Sequence, residues 1–151
     1  MSKRLLEPCC GEGHISKVLI SEGFEVVSRD LIDRNYGDEV GIDFLTDERR
    51  WDGDIVMNPP YKKALEFIQH GLEIIPEGQK VYAFLRLLFL EGQKRRKLFD
   101  TGQLQKVYVS SGRLKCGING DFNAIEGSSV AYAWFVFVKG RKGPTVIEWI
   151  N

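Results

Sequence analysis

The chain of 151 residues and 17.2 kDa is 43% apolar and sets 21 basic against 21 acidic side chains, a formal charge of +0. That size supports one hydrophobic core, and the balance excludes gross disorder and a uniformly cationic nucleic-acid-binding surface. No apolar run is long enough to span a bilayer and Met1-Ser2-Lys3-Arg4 opens no secretory segment, so a single cytoplasmic domain with no membrane partner is expected.

Arg4 to Glu7 reads as a strand that runs into Pro8-Cys9-Cys10-Gly11-Glu12-Gly13. Ile15, Val18 and Leu19 then recur at helical spacing over His14 to Glu22, with Gly23 as the stop. Phe24 to Ser28 reads as a second strand ending near Asp30, and Val40 to Phe44 as a weaker strand-to-loop segment. Gly53 to Met57 is a short β-rich run that Asn58-Pro59-Pro60-Tyr61 must terminate, because two consecutive prolines remove the donors a ladder needs. Ala64, Leu65, Ile68, Leu72 and Ile75 form a helical apolar face closed by Pro76 and Gly78, which Gly71 weakens without abolishing.

Lys80 to Leu85 is the next strand, and Leu87 to Phe99 has a helical mixture of apolar and basic positions. Gln105 to Ser110 and Val130 to Val138 read as a hairpin-like β pair joined by the excursion Gly112 to Gly127, and Thr145 to Ile150 as a terminal strand or cover. Alternation sends Tyr132 and Trp134 to one face and Phe135 and Phe137 to the other, and core packing on both faces is expected for all four. Trp51 and Trp149 are candidates for an edge or an interface. The alternating order of strands and helices specifies an open α/β domain without internal repeats.

Two motifs carry chemistry. A strand that meets a glycine turn and a helix, as at Glu7 to Gly13, exposes backbone donors and admits a ligand without Cβ collisions, although glycines also serve as plain turn residues. The turn lacks the third glycine of the dinucleotide fingerprint and the Gly-Lys-Ser/Thr of a P-loop. Met1 to Pro60 carry 7 basic and 13 acidic residues, which favours a ligand with cationic groups over a polyphosphate. At Asn58-Pro59-Pro60-Tyr61, an Asn carbonyl and a backbone carbonyl can accept from an NH₂ group while an aromatic ring stacks on a planar π-system.

Glu-Pro-x-x-Gly-x-Gly followed about fifty residues later by Asn-Pro-Pro-Tyr resembles the class I S-adenosylmethionine-dependent amino-methyltransferases, especially the adenine-N6 DNA methyltransferases in their short bacterial and phage forms. The likeness extends through Leu85 to Gly92 and the terminal aromatic strand. It implies a Rossmann-like mixed sheet with helices on both faces and shortened N-terminal elements, since only six residues precede Glu7. It implies S-adenosyl-L-methionine as cofactor, with Glu7, Pro8, Gly11 and Gly13 at the methionine end, Asp30 on the ribose hydroxyls and Asp43 and Phe44 at the adenine. Asp33 is the nearest competitor to Asp30 for the ribose.

In the same comparison Asn58, Pro59, Pro60 and Tyr61 form the acceptor site for an amino group. DNA is the expected partner. RNA adenine, a protein glutamine amide, or noncatalytic nucleic-acid binding are the alternatives. Arg86, Lys94, Arg95 and Arg96 are candidate phosphate contacts, although a basic run also suits the wet face of a helix. Target preference would come from loops such as Gly112 to Gly127. Cys9 and Cys10 suit packing rather than covalent catalysis, and with Cys116, His14 and His70 they supply no metal-ligand spacing. The shortened N-terminus leaves a sheet face to be covered, by the tail or by a second copy in a homo-oligomer.

Overall fold

The computed structural model describes residues 1–110 and 130–150. Eight strands, β1 (Arg4–Glu7), β2 (Glu25–Asp30), β3 (Glu39–Val40), β4 (Asp54–Met57), β5 (Lys80–Arg86), β6 (Leu104–Val109), β7 (Tyr132–Val138) and β8 (Val146–Trp149), form one sheet. Their order is β3-β2-β1-β4-β5-β7-β6-β8. β1 to β5 pair in parallel with one another, β7 inserts antiparallel between β5 and β6, with Ala83 opposite Phe135 and Val107 opposite the same residue, and β8 joins β6 in parallel. Among the described residues three α-helices, α1 (His14–Ser21), α2 (Ala64–Ile74) and α3 (Gln93–Asp100), complete the mixed α/β architecture.

The strands at the centre are apolar because both faces are covered there. Leu5, Leu6, Ile55, Val56 and Met57 are all buried, whereas β5 alternates buried Val81, Ala83 and Leu85 with half-buried neighbours. The principal core lies between the sheet and α2 with α3, one buried cluster that takes in Ile68 and Leu72 of α2, Val81 of β5, Leu98 of α3, and Phe89, Phe135 and Phe137. Gly71 sits at the closest approach of α2 to the sheet: a Cβ there would stand 3.3 Å from Val81 and 3.4 Å from Ile55. On the other face, α1 packs against β2, and Ser16 inserts its hydroxyl between β1 and β2.

Leu87 to Phe99 is not one helix. A 3-10 turn at Leu87–Leu90 is separated from α3 by Gly92, whose φ of 108° no helix accommodates. The segment after Val40 forms no further strand, because Asp43 closes a local turn on Leu45 and Thr46. Trp51 belongs to the core rather than to an edge, 6% exposed with its indole N–H donating to the Asp54 carbonyl at 2.9 Å. Trp149 lies on β8 at the sheet margin and is 69% exposed. Gly112 to Gly127 and Cys116 fall outside the described residues. No described helix is long and apolar enough to cross a membrane.

Candidate active site

Parallel strands deliver their carboxyl ends to one edge of the sheet, and loops that leave there can enclose a ligand. After β1 the chain turns through Pro8 to Gly13, with Gly11 at φ 56° and Gly13 at φ 87°. The Gly13 amide donates to the Cys10 carbonyl at 2.9 Å, and the Cys10 amide to the Arg29 carbonyl at 2.9 Å. The Asp30 carboxylate at the end of β2 accepts from the Gly11 amide at 2.7 Å and from the Ile32 amide at 3.0 Å. Asp30 is thus fixed beside the glycine turn, whereas Asp33 is exposed and caps the Asn35 amide.

β4 ends at Met57, and Asn58 to Tyr61 leave the sheet stiffly, with Pro60 extended at φ −56° and ψ 128°. Asn58 is exposed, and its side chain forms no hydrogen bond to a described residue. The two loops are tied together: the Cys9 thiol donates to the Asn58 carbonyl at 3.5 Å. Burial first, then the nearby Glu7 and Asp30 carboxylates, pushes that thiol well above its ordinary range, which agrees with packing rather than nucleophilic use.

A cavity of about 540 Å³ opens between these loops. Pro8, Gly11, Asp30, Asp43 and Phe44 line one part of it; Asn58, Pro59, Pro60, Tyr61 and Arg86 line the other. Phe44 is 3% exposed and held by Phe67 and His70, at ring separations of 5.3 Å and 4.8 Å, so this wall is rigid. The carboxylates of Asp30 and Asp43 give the cavity an acidic part, and Arg34, Lys63 and Arg86 a cationic one.

Five of the residues singled out in the sequence lie elsewhere. Glu7 is 1% exposed beneath the glycine turn, where it accepts from the Ser16 hydroxyl at 2.5 Å; Ser16 in turn meets Ser28 at 2.7 Å. Desolvation pushes Glu7 up to about 7, against the downward pull of Ser16. Gly13 faces a ring instead of open space, since a Cβ there would lie 2.6 Å from carbons of Tyr36. Lys17 covers the Tyr36 ring at 5.1 Å. Arg95 is engaged within the protein, donating to the Glu91 carbonyl at 2.9 Å and the Leu88 carbonyl at 3.2 Å while lying over Phe89 at 4.6 Å. Its other nitrogen is 3.5 Å from the Tyr61 hydroxyl. Arg96 pairs with Asp100 at 2.8 Å, and Lys94 is exposed on α3 away from the cavity.

Sequence reasoning missed Tyr36, whose only local signal is the turn sequence Asn35-Tyr36-Gly37, with Asn35 at φ 60°. It also missed Phe84 and Tyr132 as cavity residues. Among the described residues no group of His, Cys, Asp and Glu is arranged to hold a metal ion.

No protein-family model and no curated protein matches the chain by sequence. Solved structures do match in shape. A Listeria monocytogenes protein assigned to the class I S-adenosylmethionine-dependent methyltransferases superposes with a TM-score of 0.68 at 12% identity, over 99% of this chain and 59% of that one. The chain has the class I methyltransferase fold. TrmN from Thermus thermophilus matches with a TM-score of 0.62 at 19% identity, over 91% of this chain and 44% of that one. The M protein of the type I restriction enzyme EcoKI matches at 0.60 and 17% identity, over 92% and 40%. The chain therefore spans about half the length of these methyltransferase-fold neighbours, and at these identities the likeness establishes the fold alone.

Proposed function

We propose that the chain uses S-adenosyl-L-methionine to methylate the N6 amino group of adenine, with DNA as the favoured acceptor. One observation carries the reading: a single cavity joins the Gly11–Asp30 turn to the Asn58-Pro59-Pro60-Tyr61 loop. The methyltransferase-fold neighbours, a restriction-enzyme M protein among them, support the same reading.

The residues fit the cofactor. Gly11 leaves nothing within 4 Å of where a Cβ would stand, so the turn can approach a ligand closely. Asp30 and Asp43 suit a molecule with an ammonium and a sulfonium, and the Phe44 wall suits a purine. Asp30 would hold the ribose hydroxyls, Phe44 and Asp43 the adenine, and Pro8 and Gly11 the methionine end. When bound, S-adenosylmethionine supplies a methyl group made electrophilic by its sulfonium.

Asn58 Oδ1 and the Pro59 carbonyl accept the two hydrogens of the acceptor amino group, and Tyr61 stacks on the base that carries it. Holding both hydrogens fixes the direction of the nitrogen lone pair, and the same two oxygens stabilise positive charge as it develops on nitrogen. The amino proton is lost to solvent after transfer, which requires no strongly basic side chain. Glu7, Gly13 and Arg95 act indirectly, by shaping the glycine turn and holding Tyr61.

Transfer from labelled S-adenosylmethionine to duplex DNA, single-stranded DNA, RNA and protein, followed by product identification, tests the proposal. N6-methyladenine from DNA is expected. Asn58→Ala is expected to lower turnover by roughly 10²- to 10³-fold, the usual cost of a preorganised catalytic hydrogen bond, while leaving cofactor affinity unchanged. Label in glutamine, or strand binding without cofactor binding, would overturn it.

A further inference from the structure

Phe84 of β5 and Tyr132 of β7 line the same cavity as Asn58 and Tyr61. Their rings are stacked, 5.3 Å apart with 8° between planes, and Trp134 continues the row 5.1 Å beyond Phe84. All three are half-buried, whereas the residues between them, Leu85, Ala133 and Phe135, are buried in the core on the opposite face. Among the described residues no helix packs over this row. α1 packs on β2, and α2 meets β5 from the other side, where a Cβ on Gly71 would stand 3.3 Å from Val81.

The charge beside the row is cationic. Arg86, paired in register with Tyr132, lies over the Tyr61 ring at 4.6 Å, and Arg34 and Lys63 also line the cavity. Arg86 thus reaches over Tyr61 from a strand position that is two residues from Phe84 and opposite Tyr132, beside both aromatic surfaces. Two stacking surfaces separated by a guanidinium match two successive nucleotides and the phosphate that joins them.

We propose that Phe84 and Tyr132 form a second stacking step, which takes the nucleotide flanking the acceptor adenine, and that the chain consequently binds an unpaired nucleic-acid strand. The inference rests on the acceptor reading above and extends it to the state of the substrate. A flanking base within a duplex stays stacked and paired, so it cannot reach an aromatic surface inside the cavity. In a single strand it is free to do so. Arg86 exchanges its contact with Tyr61 for the phosphate between the two bases.

The test uses the full chain and short fluorescent strands, each with one adenine, followed by anisotropy with and without S-adenosylmethionine. The strand is supplied alone, annealed to its complement, as DNA and as RNA, and with an abasic spacer on the 5′ or the 3′ side of the adenine. The single strand is expected to bind more tightly than the duplex. A spacer on one side is expected to weaken binding on the order of ten-fold, the usual worth of one base stacked on an aromatic ring. Tyr132→Ala should remove the spacer effect and Tyr132→Phe should restore it. The substrate-side spacer remains decisive if Tyr132→Ala does not fold. Equal or tighter duplex binding, or no loss from either spacer, overturns the stacking step even if adenine is methylated. Spacer-sensitive strand binding without methyl transfer supports the step and overturns the proposed activity instead; the DNA and RNA arms identify which strand is the source.

Discussion

Glu7→Gln tests the electrostatics under the glycine turn. Glu7 is 1% exposed, and its protonation is displaced to about 7 from an ordinary 4.5, chiefly by desolvation. Between those two pH values the folded chain holds a proton that the unfolded chain has released. Stability contributed by this group is therefore intact below the unfolded value and falls as pH rises toward 7. At about 1.4 kcal/mol per pH unit the loss across that interval is about 3 kcal/mol. Glutamine keeps an oxygen to accept from Ser16, which lies 2.5 Å away, and cannot ionise. Urea unfolding of both proteins from pH 4.5 to 8 isolates the effect, because Glu39, pulled downward mainly by hydrogen bonds from Arg29 and Arg49, and Asp47, pulled downward mainly by those from Arg49, are common to both. The variant should gain on the wild type by about 3 kcal/mol across the range. Parallel stability curves would refute the assignment of a buried, neutral-pH carboxyl to this position.

Three further outcomes follow from the geometry. Gly13→Ala should cost about 3 kcal/mol, combining a left-handed backbone with overlap against Tyr36, and the cost should fall to about 1 kcal/mol in a Tyr36→Ala background; additive thermal-denaturation effects would show that the ring is not the obstacle. Asp30→Ala should abolish calorimetric binding of S-adenosylmethionine and also destabilise the fold by about 1 to 3 kcal/mol, because the Gly11 and Ile32 amides lose their acceptor; undiminished binding would remove Asp30 from the pocket. The β8 margin carries exposed Val146, Ile147, Trp149 and Ile150, so self-association at micromolar protein is expected through this edge and should be lost in Ile147→Lys; light scattering that gives a strictly monomeric wild type would refute it.

The parts of the site that were legible in the sequence are those fixed by neighbours in the chain. A strand, two glycines and a helix give the turn at Pro8 to Gly13, and two prolines give the stiff exit at Asn58 to Tyr61. Asp30 is preferred to Asp33 in the sequence only through the family resemblance, and the hydrogen bond from Gly11 fixes where Asp30 stands beside the turn. Partners brought from afar were not legible. Nothing near Gly13 signals that Tyr36 will cover it, and nothing in the basic run distinguishes Arg95, turned inward on Phe89 and Tyr61, from Arg96, turned outward to Asp100. The break before α3 did carry a sign: Gly92 lies inside the supposed helix, but apolar spacing on both sides of it imitates a continuous one.

The antiparallel insertion of β7 couples the cavity to the outer half of the sheet. Val109 at the end of β6 pairs with Ala133 near the start of β7, and Tyr132 beside it pairs with Arg86 at the cavity. Tyr132 thus lies at the cavity, and among the described residues both β6 and β5 hold the start of β7 in register. Because β7 pairs on both sides, a change that slips its register moves Tyr132 relative to Arg86 at the cavity and Ala133 relative to Val109 in one step.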